Sequence, residues 1–282
     1  MIKNILVCID GSASSEETTL AAIRIALERN ATLVGMAIGH VPGSQPGTRA
    51  GIHGSRFDRR WTNLRTVDVH AYAGMLLATF ERRCRSAGVP VRVLEVVSRS
   101  PADVIAEIEH HDLTLVSHEA NFQFESKGDH RATREKILRR TSRPVVLIPD
   151  DASGMSDPLG PTVLVAYDGG PAAARALASF VASGLGESRD IHVVTVGDDG
   201  EKAMATAMHA AENLRASGIK ATPHGIVSAL SDCDALVEFG AKLGAGLVVM
   251  GAFARSRIKE MFSGSLTRAL VAGSPTPIYL QH

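Results

Sequence analysis

The sequence predicts an α/β protein made of two tandem, doubly wound sheets, each with five mostly parallel strands. Short apolar runs alternate with longer helical patterns in both halves of the chain, which is typical of parallel sheets with helical crossovers. Hydrophobic residues make up 45% of the 282 residues, but aromatic residues make up only 4%. This aliphatic bias favours helices that pack closely on a buried parallel sheet.

The two halves resemble each other in sequence. The segment NILVCIDGSASSEETTLAAIRIA at 4–26 resembles TVLVAYDGGPAAARALASFVA at 162–182, so Asp10 matches Asp168. The closing segments RPVVLIPD and TPIYLQH also match. Such a repeat indicates a duplicated unit. We therefore predict one domain at 1–149, a polar linker with Gly and Pro at 150–160, and a second domain at 161–282.

The pattern of the second half predicts each of its elements. Strands are expected near Thr162–Tyr167, Ile191–Val196, Ile219–Gly225, Gly246–Met250 and Pro277–Leu280. Helices are expected near Ala172–Ser183, Glu201–Ser217, Asp232–Leu243 and Ser265–Ala272.

The first half contains an insertion. Asp10 and Asp168 are 158 positions apart, whereas Gly88 and Gly218 are 130 apart, so the first half has 28 extra residues (158 − 130). They fall within 40–70, whose Gly, Pro and Ser residues indicate a loop or lid. Its arginines suit an anionic ligand, but a solvated, mobile surface loop is the simpler interpretation.

Composition narrows the choice of partners and compartment. The 30 basic residues balance the 30 acidic ones, which gives no reason to expect nucleic acid as a partner. No apolar run is long enough to cross a bilayer, so we expect no membrane partner. The three cysteines are far apart and form no CxxC pair, which fits a reducing compartment and a cytoplasmic protein.

Two loops of the second half have the features of a ligand site. In open parallel sheets, ligands bind beyond the carboxyl ends of the strands at a switch point. Asp168 follows the first strand, and its carboxylate can accept hydrogen bonds from ribose hydroxyls or an adenine amino group; alternatively, it caps the next helix. After the fourth strand, Gly251 permits close approach of a backbone, and Gly264-Ser265 precedes a helix whose N–H groups can bind phosphate; alternatively, Ser265 caps that helix.

The segment GAFARSRIKEMFSGS at 251–265 resembles the phosphate-binding signature of the universal stress protein family. That signature is Gly, two residues, Gly, nine residues, Gly, then Ser or Thr. The strand-one motif of the family also matches Asp10-Gly11-Ser12 and Asp168-Gly169-Gly170. The resemblance covers both halves, and Ala254 replaces the second signature glycine.

The resemblance implies a tandem universal stress protein with a Rossmann-like fold similar to adenine-nucleotide α-hydrolases. It implies a stress-response role and binding of ATP or a related adenine nucleotide, with or without Mg²⁺, in the second half. The implied nucleotide-binding residues are Ala166, Asp168, Val196, Met250, Gly251, Ala254, Gly264, Ser265 and Leu266. Family analogy also implies pairing of the two halves through their last strands, Val145–Ile148 against Ile278–Leu280, and allows a homodimer.

The first half is expected to hold no nucleotide. Aligning Ser117-His118 with Met250-Gly251 puts these residues at the four signature positions: His118, Asn121, Arg131 and Ala132. A metal site is not expected either, because His118-Glu119 has no second His at helical spacing, and His110 and His111 are expected on a solvated helix end.

The sequence is also compatible with two other functions. The protein could be a scaffold of the same family that binds no nucleotide, with Ala254 marking the loss of the site. It could also be a slow ATPase, although the sequence offers no convincing general base. We expect no catalytic residues, and at most weak ATP hydrolysis.

Overall fold

The computed structural model describes residues 1–39, 56–97, 101–118, 120, 137–149, 157–251 and 276–281. The ten strands in these ranges are Asn4–Ile9 (β1), Thr32–Gly39 (β2), Val91–Val97 (β3), Leu113–Ser117 (β4), Val145–Ile148 (β5), Thr162–Ala166 (β6), Asp190–Val196 (β7), Ala221–Ile226 (β8), Leu247–Gly251 (β9) and Ile278–Gln281 (β10). The helices in these ranges are Ala13–Arg29 (α1), Arg56–Ser86 (α2), Pro101–Ile108 (α3), Pro171–Ser183 (α4), Gly200–Ala216 (α5) and Asp232–Leu243 (α6).

The strands form one ten-stranded sheet in the order β3-β2-β1-β4-β5-β10-β9-β6-β7-β8. All neighbours are parallel except β5 and β10, which are antiparallel. Each half contributes five strands. Counted from the outer edge inward, the order is β3-β2-β1-β4-β5 in the first half and the equivalent β8-β7-β6-β9-β10 in the second. The predicted class, with two doubly wound five-stranded units, is therefore confirmed.

Aliphatic side chains explain why the central strands form. All five residues of β4 and all four of β5 are buried, as expected for strands that are covered on both faces. Helices α1, α2, α4 and α5 pack on one face of the sheet. Helices α3 and α6 pack on the other face. No helix in the described ranges is long and apolar enough to span a membrane.

The predicted insertion at 40–70 is only partly a loop. Residues 40–55 lie outside the described residues, but α2 begins at Arg56 and continues to Ser86. The prediction of a loop over 56–70 was therefore wrong. The glycines and prolines of the insertion all precede Arg56, and no Gly or Pro follows until Gly74, so nothing in this part interrupts a helix.

An arginine connects the two halves on the α1 side of the sheet. The Arg189 guanidinium donates to both carboxylate oxygens of Glu28 at 3.1 and 3.0 Å, and to Asp157 Oδ2 at 3.2 Å. Its Nε donates to the Gly160 carbonyl at 3.1 Å, and its side chain is only 5% exposed. Burial alone would raise the pKa of Glu28, but hydrogen bonds from Arg189 and Arg29 outweigh burial and lower this pKa. Arg189 therefore ties α1 of the first half to the beginning of the second.

We predict that Arg189→Ala lowers the free energy of unfolding by about 2 kcal/mol, because several charge-assisted hydrogen bonds are lost together. Arg85→Ala is the matched control, since Arg85 forms an exposed ion pair with Glu81 within α2. The control should change stability by less than about 0.5 kcal/mol. Urea denaturation of both variants measures the difference, and equal effects would contradict a special role for Arg189.

Candidate functional site at the carboxyl ends of β6, β7 and β9

Five of the nine predicted site residues lie at the carboxyl ends of three neighbouring strands. Strand β6 lies between β9 and β7, and Ala166 is in register with Met250 on one side and Val194 on the other. Gly251 ends β9, and Val196 ends β7. Asp168 follows β6 by two residues. The chain leaves β6 toward β7 while β9 lies on its other side, so the three strand ends meet at a switch point of the sheet.

The four other predicted site residues lie outside the described residues: Ala254, Gly264, Ser265 and Leu266. The same is true of the predicted helix at 265–272. Their part in a site therefore remains a prediction from the sequence motif.

Asp168 shapes the turn between β6 and α4. Its Oδ1 accepts a hydrogen bond of 2.8 Å from the Gly170 backbone N–H. Gly169 has φ of 77°, a left-handed conformation that favours glycine. Gly170, not Asp168, is the N-cap of α4, and Pro171 takes the first helical position. Asp168 therefore does not cap the helix itself. Its carboxylate orients Gly170, which is the N-cap.

Hydrogen bonds tie this turn to β7. The Tyr167 N–H donates to the Val194 carbonyl at 2.9 Å, and the Thr195 hydroxyl donates to the Tyr167 carbonyl at 2.7 Å. Both Tyr167 and Thr195 are buried, and burial together with the Asp168 carboxylate raises the pKa of Tyr167. Thr195 was not predicted as a site residue, although its hydroxyl stands out within the apolar run of β7. Thr195 holds the Asp168 turn against the end of β7.

Gly251 has a structural role that the sequence did not reveal. A Cβ atom at this position would lie 2.5 Å from the Ala172 carbonyl carbon and 2.6 Å from the Ala173 nitrogen. The absent side chain thus makes room for the first turn of α4, which packs directly on β9. Close packing between helix and strand is sufficient to require glycine here. Gly251 alone is therefore not evidence for a phosphate site, but it does bring the N-terminal turn of α4 to the end of β9.

The first half keeps the aspartate turn but changes its surroundings. Asp10 Oδ1 accepts from the Ser12 N–H at 3.0 Å and from the Ser12 hydroxyl at 2.7 Å. The Tyr72 hydroxyl of α2 covers Gly11, where a Cβ atom would lie 2.2 Å from its oxygen. A buried imidazole, His118, follows β4 at the position that aligns with Gly251. The two strand-one loops are thus similar in backbone but different in what covers them.

One histidine of the first half is buried where the sequence predicted an exposed position. His111 was predicted on a solvated helix end, but it is buried, and its Nδ1 is 2.9 Å from the Glu107 carbonyl oxygen. That prediction was wrong for His111, because the chain turns inward at the end of α3 to enter β4. Across the described ranges, no group of three or more His, Cys, Asp or Glu side chains is arranged to hold a metal ion.

The fold and the position of these loops define the class of protein. A mostly parallel, doubly wound sheet with helices on both faces and polar turns at its switch points is a Rossmann-like α/β architecture.

The chain belongs to the universal stress protein family, whose model matches residues 1–116 and 161–281. A universal stress protein from Synechocystis sp. is 22% identical over 292 residues, covering 98% of this chain and 99% of the relative. The two separate matches and the full-length relative support a tandem arrangement.

Solved structures share the fold at low sequence identity. A universal stress protein from Archaeoglobus fulgidus is 19% identical with a TM-score of 0.71, covering 99% of this chain and 95% of its own. A protein from Pseudomonas aeruginosa is 16% identical with a TM-score of 0.56, covering 99% of this chain and 93% of its own. The whole two-unit architecture therefore recurs in other proteins.

We predict that Gly251→Ala lowers the free energy of unfolding by about 1–3 kcal/mol, because the added methyl group overpacks the contact between β9 and α4. Gly74→Ala is the control, since no atom lies within 4 Å of a Cβ at this exposed position of α2. It should be neutral or stabilising by up to about 1 kcal/mol. Urea denaturation of the two variants distinguishes a packing requirement from a general cost of losing glycine, and a neutral Gly251→Ala would contradict the packing role.

Proposed function

We propose that this protein is a stress-response protein that binds ATP or a related adenine nucleotide in its second half. The observation that carries the proposal is the arrangement of two loops: the Asp168 turn is next to the end of β9, and β9 continues directly into the signature-like segment at 251–265. A nucleotide at a switch point needs one group for its nucleoside and another for its phosphates. These two loops supply both.

Asp168 is proposed to hold the nucleoside. A half-buried carboxylate at the end of β6 can accept hydrogen bonds from ribose hydroxyls or from the adenine amino group. The bond from the Gly170 N–H fixes the orientation of the carboxylate before a ligand arrives. Ala166 and Val196 end β6 and β7, Met250 is the next-to-last residue of β9, and these three side chains are proposed to form the apolar floor for the base.

The segment after Gly251 is proposed to hold the phosphates, with or without Mg²⁺. Gly264 and Ser265 retain the small residue and hydroxyl of the signature, and Leu266 continues the predicted helix. N–H groups at a helix start attract anionic oxygens. Ala254 replaces a signature glycine. If that position needs a positive φ, Ala costs roughly 1 kcal/mol, which is about five-fold in affinity.

The first half is proposed to contribute to folding and pairing rather than to ligand binding. His118 stands where Gly251 stands in the second half, and Tyr72 covers the Asp10 turn. A buried imidazole at the end of β4 obstructs the approach of a pyrophosphate. We therefore propose one nucleotide per chain.

A scaffold without nucleotide is the second candidate function. Two observations favour it: the packing of α4 already accounts for Gly251, and Ala254 departs from the signature. A slow ATPase is a third and weaker candidate, since Asp168 is better placed to orient a nucleoside than to activate water. Steady ATP turnover that disappears in Asp168→Ala would favour the ATPase.

We also propose the domain limits 1–149 and 161–282 with a linker at 150–160, and a cytoplasmic location. The two domains are proposed to pair within the chain in solution through β5 and β10, in the antiparallel register of Tyr279 with Val146. A further homodimer rests on family analogy alone.

We predict that Asp168→Asn weakens ATP binding by about ten-fold, because the amide keeps the turn but removes the charge and one strong acceptor. Asp10→Asn is the matched control, since Asp10 closes the same turn in the first half. It should leave the affinity unchanged. Isothermal titration calorimetry with ATP measures both variants. Equal losses, or a loss only in Asp10→Asn, would contradict the assignment to the second half.

We predict that Gly264→Val abolishes ATP binding by filling the phosphate space, while Ala254→Gly keeps or raises the affinity by up to about five-fold. The same titration measures both, and far-ultraviolet circular dichroism checks that the variants fold. If the wild type does not bind at millimolar ATP and Ala254→Gly does not restore binding, the segment is an ordinary turn, and the scaffold function is favoured.

A further inference from the structure

A hydrogen-bonded chain of three titratable side chains lies in the second half, away from the proposed site. Asp190 Oδ2 is 3.1 Å from His192 Nε2, and His192 Nδ1 is 2.8 Å from His224 Nε2. The two imidazole planes differ by only 23°. With the Asp190 carboxylate accepting from His192 Nε2–H, the lone pair of His192 Nδ1 accepts from His224 Nε2–H.

This chain joins three elements at one end of the sheet. His192 lies on β7, and His224 lies on β8, the last strand in the sheet order. The ring of Phe239 on α6 is 5.0 Å from the ring of His224. The imidazole pair therefore contributes to holding both the outer strand and α6 against β7.

The first half builds the same strands without histidine. The strand register is the same in both halves. In the second half, Asp190 is opposite Thr162 and His192 is opposite Thr222. In the first half, Thr32 is opposite Asn4 and Val34 is opposite Arg92.

By that correspondence, His192 is equivalent to Val34, and His224 is equivalent to Leu94. Val34 is buried, and Leu94 packs against the same apolar cluster. An apolar pair is thus sufficient for this architecture, and the fold does not itself require the two imidazoles.

We propose that Asp190, His192 and His224 form an acid-sensitive latch that holds β8 and α6 against β7 at neutral pH and releases them when the pH falls. One added proton is compatible with the closed latch, because a His224 imidazolium still donates to His192. A second proton would place two N–H donors face to face across 2.8 Å. The closed latch therefore requires a free lone pair on His192 Nδ1 that accepts from His224, and the open state does not.

No described group around the imidazole pair relieves the repulsion between two facing N–H donors. From β7, Asp190 contacts His192 but is 70% exposed, so water weakens its effect on the pair. Strand β6 presents Leu164, and β8 presents Thr222, beside His192. On α6, the exposed Glu238 and Lys242 pair with each other, while Asp232 and Asp234 occupy the first turn.

The direction of the pH effect follows from His224. Burial, and to a lesser extent the neighbouring His192, lowers the pKa of His224. The open state therefore takes up its proton at a higher pH than the closed state. Stabilisation by the latch is present above about pH 6.5 and is lost as the pH falls below it.

Hydrogen–deuterium exchange of the full chain at pH 7.5 and pH 5.5, corrected for intrinsic rates, tests the latch. In the wild type, the opening equilibrium of β8 and α6 should rise by up to about ten-fold per pH unit for each proton taken up. The double variant His192→Val/His224→Leu copies the first half and should lose this dependence. His209→Gln, at an exposed position of α5, is the control and should retain it.

Exchange that accelerates equally in the double variant, or that accelerates elsewhere but not in β8 and α6, would overturn the latch. If the double variant does not fold, the wild-type exchange map and the single variant His224→Leu provide the same two outcomes.

Discussion

The antiparallel pairing of β5 with β10 joins the two five-stranded units into one sheet. Without it, each half would expose the last strand of a five-stranded sheet, and open strand edges invite pairing with other chains. All residues of these two strands are buried except Gln281, which is half-buried. Tyr279 is fully buried in register with Val146, and its hydroxyl is 2.7 Å from the Ser179 hydroxyl. The pairing thus turns two small cores into one.

The two halves share one sheet order but differ in detail. The first half keeps the Asp10 turn but has a buried His118 after β4. The second half keeps glycine at the equivalent Gly251 and acquires the His192–His224 pair. These differences lie at strand ends and on β7 and β8, while the sheet order is the same in both halves.

The strands and helices of the sheet could be predicted because the patterns that specify them lie within short stretches of sequence. Alternating apolar and helical patterns identify strands and helices, and α6 was predicted with its observed bounds, Asp232–Leu243. The repeat then predicted that the two units share one topology. The insertion was less predictable, since a high Gly and Pro content at 40–55 obscured the start of a helix at Arg56.

The site was only partly predictable, because contacts between distant residues depend on register. The sequence indicated that Asp168 and Gly251 follow directly after strands, and the adjacency of those strands follows from the doubly wound order. It did not indicate that α4 packs on Gly251 or that Thr195 holds the Asp168 turn. The contact of His192 with His224 was equally hidden, since 32 positions separate them.

We propose that one half of the duplicated chain binds nucleotide and that the other half does not. Native mass spectrometry of the intact chain, titrated with ATP to saturation, tests this claim directly because it counts bound ligands per chain. We expect one adenine nucleotide per chain. Two nucleotides per chain, or none, would contradict it.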